Sequence, residues 1–201
     1  MEKENQPMSG EQSLAIITAM IESTRKDLRD NGSWYLLWGW LVFIASCLHY
    51  ILLKAGHTAP YIAWFLMPLG GVISIIKGRK EDKQQKVKTQ VDQFMKHVLI
   101  AFLVSLFMVL GFMSKLGLST YPMLMMVYGV WLYISGSMIG FRPLQTGGMI
   151  NWALAILAFF ASFEMQLLIL AAAVLLGYII PGYLLRSRYN KSTQNSTASF
   201  A

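Results

Sequence analysis

The chain has 201 residues, enough for one compact bundle and too few for two large domains. Hydrophobic residues make up 55 % and charged residues 13 %, well below the roughly 25 % charge of soluble domains, so an ordinary water-facing surface is excluded. The net charge of +7 gathers beside apolar runs on one side and comes with no RNA- or DNA-binding motif, so nucleic acid is not the expected partner.

Residues 1–33 are polar and charged, with no cleavable signal peptide. Residues 10–30 read as an amphipathic helix. Ser9 and Gln12 fit a capping box, Leu14, Ile17, Ile21, Thr24 and Leu28 form an apolar stripe, and Asn31-Gly32 ends it. The polar positions mix six acids with four bases across residues 1–33. A helix made for anionic lipid is predominantly basic. Leu14, Ile17, Ile21 and Leu28 are therefore a candidate docking face, for residues 87–98 of the same chain, for a protein partner or for a second copy. The plainer alternative is that the stripe rests on the lipid interface.

Six apolar spans follow: Trp34–Leu53, Tyr61–Ile76, Val98–Met113, Tyr121–Ile139, Met149–Phe163 and Gln166–Leu185. A crossing helix needs about 20 residues, so the second, third and fifth draw on their neighbours. All 17 Lys and Arg and all 10 Asp and Glu fall outside the spans, as the cost of about 2.5–3.5 kcal/mol for a charge at the bilayer centre demands. Of the Lys and Arg, 15 lie in the N-terminal segment, the second-to-third and fourth-to-fifth connections and the tail, against only Lys54 and Lys115 on the other side. Positive residues stay in the cytoplasm, which places both termini there. Trp34, Tyr35, Trp38, Tyr61, Trp64 and Tyr121 sit at span ends and read as interface anchors.

Cys47 is the only cysteine, so a disulfide within the chain and a Cys-based metal cluster are excluded. Ile44-Ala45-Ser46-Cys47 matches a lipoprotein cleavage box, but the apolar run continues through Leu48–Leu53 and Cys47 reads as a small packing residue. Met67-Pro68-Leu69-Gly70-Gly71 in the second span and Ile180-Pro181-Gly182 in the sixth are candidate helix breaks, at Pro68, Gly70, Gly71, Pro181 and Gly182. Val87, Val91, Phe94 and Val98 give the second-to-third connection an apolar face of its own, with Asp82/Lys86 and Asp92/Lys96 as helix pairs. Gly136-x-x-x-Gly140 and Ala173-x-x-x-Gly177 let helices approach closely. Residues 186–201 are rich in Ser, Thr, Asn and Gln and read as a disordered tail.

No catalytic constellation appears. His49, His57 and His97 do not share a helical face, no acid lies in a span, and no nucleophile elbow or phosphate loop is present. His49 reads as an interhelical hydrogen-bonding group. Cofactors and metals are expected to be none. A faint repeat relates Trp38–Ala45 to Tyr128–Ser135 and Ile62–Trp64 to Ile150–Trp152, which would make two inverted three-helix halves.

Glu11–Ile17, Leu36-Leu37-Trp38-Gly39, Phe141-Arg142-Pro143-Leu144 with Gly147-Gly148-Met149-Ile150, and Ile180–Leu185 together carry a likeness over the whole chain. On these motifs it resembles a group of small uncharacterised bacterial membrane proteins with six helices. The group has no assigned function, so the resemblance implies a fold and a location and transfers no functional residue.

The expectation is an all-α polytopic bundle of six spans over residues 34–185. A cytoplasmic amphipathic helix over 1–33 precedes it, and a tail over 186–201 follows. It is expected in a bacterial inner membrane, as a non-enzymatic interaction or regulatory component. The alternative is a small-solute transporter or transporter subunit, for which a broken helix at mid-membrane would be the hallmark.

Overall fold

The computed structural model describes residues 32–84 and 90–198. The candidate docking face of Leu14, Ile17, Ile21 and Leu28 lies outside them, as does Val87 of the second-to-third connection. Among the described residues the fold is all-α. Helix α1 spans Ser33–Lys54, and a 3₁₀ segment over Pro60–Phe65 leads into α2, Leu66–Gln84. Helix α3 is Gln90–Gly111, α4 is Thr120–Ile139 and α5 is Arg142–Phe159. Helix α6, Phe163–Val174, passes through a π-helical turn at Leu175–Ile179 into α7, Ile180–Ala198.

Five helical stretches are long and apolar enough to cross a membrane: Ser33–Lys54, Pro60–Lys80, Gln93–Gly111, Met113–Ile139 and Phe163–Lys191. Helix α5 is not among them. It has 18 residues, and it carries Arg142, Gln145 and Thr146 in its first two turns and Asn151 near its middle. It nevertheless lies antiparallel along the whole of α4, from Gln145 beside Gly136 to Trp152, whose Nε1 donates to the Met126 carbonyl at 3.1 Å. At 1.5 Å per residue it is about 27 Å long, close to the roughly 30 Å of a hydrocarbon core.

The turn that folds α5 back is written in the sequence. Gly140 takes φ 66, a left-handed conformation open to glycine, and the Phe141 N–H returns to the Gly136 carbonyl at 2.8 Å. Phe141 is extended, and Pro143 then occupies the first turn of α5, where a missing N–H is harmless.

The α6–π–α7 rod is the axis. Helices α1 and α5 flank it, α4 lies against α5, α2 lies outside α1 and α3 outside α4. Burial follows this order, from 56 % of the axial rod's apolar window to 11 % for α2 and none for α3. Val72, Ile76, Ile100, Val104 and Phe107 are exposed on the two outer helices. In water such a surface would aggregate; in lipid it needs no partner.

Among the boundaries that differ from the sequence reading, three stand out. The start of the second span is 3₁₀ rather than α-helical. Helix α5 starts at Arg142, ahead of the apolar run at Met149, because the Gly140–Pro143 turn and not hydropathy sets its first residue. Helix α7 continues to Ala198, where a disordered tail from residue 186 was expected. No Gly or Pro follows Gly182, so nothing in the chain stops the helix there.

Candidate functional site

Glycines let helix backbones meet directly at several crossings in the bundle. On α4 and α5, an added Cβ at Gly136 would lie 2.8 Å from the Gln145 N, and one at Gly148 would lie 2.8 Å from the Gly129 carbonyl oxygen. On α5 and the axial rod, an added Cβ at Gly147 would lie 2.8 Å from the Gly177 carbonyl oxygen and 2.9 Å from its Cα. Backbones touch at these points, with no side chain between them.

The π turn explains why Gly177 is available. In an α-helix the Gly177 carbonyl would accept from residue 181, but Pro181 has no N–H and its ring crowds that carbonyl. The helix widens over Leu175–Ile179 instead. Asn151, fully buried, reaches across from α5. Its Nδ2 donates to the Gly147 carbonyl at 2.9 Å and to the Ala173 carbonyl at 3.2 Å. One carboxamide thus ties α5 to the last α-helical turn before the widened one. Gln166, also fully buried, does the same at the opposite end of α5, with Nε2 donating to the Ala158 carbonyl at 3.0 Å.

Three tyrosines from three elements meet beside this crossing. The Tyr178 ring lies 5.8 Å from that of Tyr128 and 6.4 Å from that of Tyr35. At the Lys54 end an aromatic cluster joins His49, Trp64, Tyr121 and Phe163. Trp64 Nε1 donates to His49 Nδ1 at 2.7 Å, and the Trp64 and Tyr121 rings are 5.9 Å apart. Lys54 and Glu164 form an ion pair on the rim of this end.

The candidate helix breaks lie in different places and do not form one site. The backbone is α-helical through Pro68, Gly70 and Gly71, with Pro68 in the first turn of α2. Gly70 is a seat for α1, where an added Cβ would collide with Leu41 and lie 3.5 Å from Trp38. Gly71 faces nothing within 4 Å. Pro181 is buried next to the π turn, and Gly182 seats Leu36 of α1, at 3.0 Å from an added Cβ. Gly140 of the Gly136-x-x-x-Gly140 pair is the helix cap, where an added Cβ would meet nothing within 4 Å, whereas Gly136 and Gly129 form the seam with α5.

The sequence reading passed over Asn151 and Gln166. The signal was present, for they are the only Asn or Gln within the six apolar spans. Among the described residues no His, Cys, Asp or Glu group could hold a metal. The buried polar atoms that carry no hydrogen bond are Ser46 Oγ, Ser74 Oγ, Asn151 Oδ1 and Gln166 Oε1, which are scattered rather than convergent. Chemically, the interior donates to backbone carbonyls and joins helices. Compared with known protein families, characterised proteins and solved structures, the chain matches none.

Proposed function

We propose that this chain is a six-span protein of the bacterial cytoplasmic membrane, with both termini in the cytoplasm. In this reading it has no enzymatic activity and works by association through its N-terminal amphipathic helix. One observation carries this reading: the interior carboxamides donate to backbone carbonyls at glycine crossings, so the bundle core is a closed joint and binding falls to its surfaces. The sixth crossing is supported by α5 running antiparallel along all of α4: where α4 crosses, α5 crosses back.

Topology is tested with reporter fusions. Fusions after Asn31, within residues 83–88, after Phe141 and after Asn190 should report cytoplasm, and fusions near His57 and Ser119 the outside. A cytoplasmic signal at His57 overturns the topology.

Association is tested at the N-terminal stripe. Ile17→Asp with Ile21→Asp should abolish a crosslink from position 17 to protein while all six spans still insert, since neither residue lies in one. The crosslink partner then tells residues 87–98 of the same chain from a second copy or another protein. Crosslinks only to lipid, or none, end the docking idea.

The π turn favours a second reading, a small-solute transporter, because helices that depart from α geometry at membrane depth line transport sites. That reading needs the Asn151 joint to open.

A further inference from the structure

Two histidines grip one short segment, and both do so through Nδ1. An indole N–H and a backbone N–H can only donate. Trp64 Nε1 donates to His49 Nδ1 at 2.7 Å, so that nitrogen carries a lone pair and the ring is neutral. The Ala59 N–H donates to His57 Nδ1 at 3.1 Å, which sets the same requirement on the second ring. Ala59 caps the 3₁₀ segment Pro60–Phe65, and Trp64 lies near its end. The segment is therefore held from both ends by acceptor nitrogens that a proton would occupy.

The segment packs along α1 with its outer face open. Tyr61, Ile62 and Phe65 are exposed, and only Ala63 is buried. Trp64 is the bridge: its ring lies 6.2 Å from His49 on α1 and 5.9 Å from Tyr121 at the start of α4. Phe163, at the start of α6, completes the cluster at 5.7 Å from His49. Helix α2 itself rests lightly on α1. Its far end is pinned where Lys77 donates to Ser33 and its Nζ stands 4.4 Å over the Trp34 ring. A helix pinned at one end and clasped at the other can swing when the clasp opens.

The other polar groups at this end do not replace the clasp. On α1 they are Tyr50, half-buried against the core, and Lys54, which pairs with Glu164 of α6. From α4 comes Tyr121, whose hydroxyl is 3.5 Å from the same His49 Nδ1. The 3₁₀ segment brings Tyr61 besides Trp64, and α5 ends in Phe159 and Phe160. Lys115 lies in the short helix Met113–Leu116 that precedes α4. Among the described residues His49 thus has no carboxylate within hydrogen-bonding distance to receive an imidazolium proton.

We propose that Pro60–Phe65 is an acid-released clasp, closed while His49 and His57 are neutral and opened when Nδ1 is protonated. A proton on His49 Nδ1 sets N–H against the Trp64 N–H and puts a charge among aromatic rings. A proton on His57 frees the Ala59 N–H and loosens the entry to the segment. The sign follows directly: the clasp holds at higher pH and is lost as pH falls. The compartment sensed is the one that bathes the Lys54–Glu164 rim. The inference stands on these hydrogen bonds and not on the interaction role proposed above.

The test is amide hydrogen exchange on the full chain in lipid nanodiscs, at about pH 8 and about pH 4.5, the lower value well beneath that of free imidazole. After correction for intrinsic exchange, Ile62–Phe65 should exchange about tenfold faster at the lower pH, the scale of one lost hydrogen bond. His49→Asn with His57→Asn keeps an oxygen acceptor near each Nδ1 and cannot titrate, so its protection should not change with pH. Trp64→Phe should exchange fast at both. Equal protection of the wild-type segment at both pH values, or a pH response that survives in the double Asn variant, overturns the proposal. Should the variants fail to fold, ¹⁵N-histidine spectra of the wild type decide: His49 and His57 must both be protonated at Nε2 and bare at Nδ1 at the higher pH, and a proton on His49 Nδ1 there refutes the clasp.

Discussion

Gly147→Ala destabilises the folded bundle by about 1–3 kcal/mol, while Gly71→Ala leaves it unchanged or stabilises it by up to about 1 kcal/mol. Both changes put a better helix former into a helix, so propensity favours both equally. What differs is the space. A Cβ at Gly147 lies 2.8 Å from the Gly177 carbonyl oxygen and 2.9 Å from its Cα, and backbone cannot rotate away as a side chain can. The two helices must part, and Asn151 then loses its reach to Ala173, now 3.2 Å. A Cβ at Gly71 meets nothing within 4 Å. Unfolding in mixed micelles, followed by tryptophan fluorescence, gives both values in one assay. Equal stability of the two variants would mean that α5 and the axial rod do not meet at glycine. The Gly71 result also bears on the second span: a residue needed for an unwound site would not tolerate Ala.

Apolarity and charge made most of this architecture legible, because both report what a residue can be buried in. They gave α1 to within one residue at each end, Trp34–Leu53 against Ser33–Lys54. They gave less where geometry outranks burial. The 3₁₀ start of the second span cannot be read from apolar residues alone, since the run Tyr61–Phe65 is apolar on every face. Helix α5 begins in polar residues, so a hydropathy window slides past Arg142, and only the Gly140-Phe141-Arg142-Pro143 turn marks the true start. The candidate site divides in the same way. Gly136 and Gly177 were visible as small residues at helical spacing, yet the partner positions were not, because four-residue spacing pairs Gly136 with Gly140 while contact pairs it with Gln145. Gly129, Gly148 and Asn151 needed the helices to be placed side by side. His49 was legible as an interhelical hydrogen-bonding group; that Trp64 is its donor was not, as the two are 15 residues apart across a loop.

Asn151→Asp should cost more than Asn151→Ala, which is the reverse of what shape alone predicts. Asp has the outline of Asn and leaves no cavity; Ala removes the side chain. The deciding quantity is the donor pair. Nδ2 gives protons to the Gly147 and Ala173 carbonyls, and Oδ1 has no partner. In Asn151→Asp an oxygen replaces that nitrogen and faces two carbonyl oxygens. If ionised, and if α5 crosses the bilayer as proposed, it places a charge at membrane depth at about 2.5–3.5 kcal/mol. If neutral, its single proton can serve one carbonyl and leaves the other bare. Asn151→Ala loses only the hydrogen bonds, worth about 0.6–1.7 kcal/mol each in membrane proteins. The expected order of folded yield and of resistance to unfolding is wild type, then Asn151→Ala, then Asn151→Asp. The comparison also probes α5 itself, in which Asn151 lies near the middle of the Arg142–Phe159 helix. If that helix crosses the bilayer, water cannot solvate the carboxylate and the order holds. If Asn151→Asp folds as well as the wild type, position 151 is hydrated. The crossing would then be open to solvent, and the transporter reading would displace the closed joint argued for here.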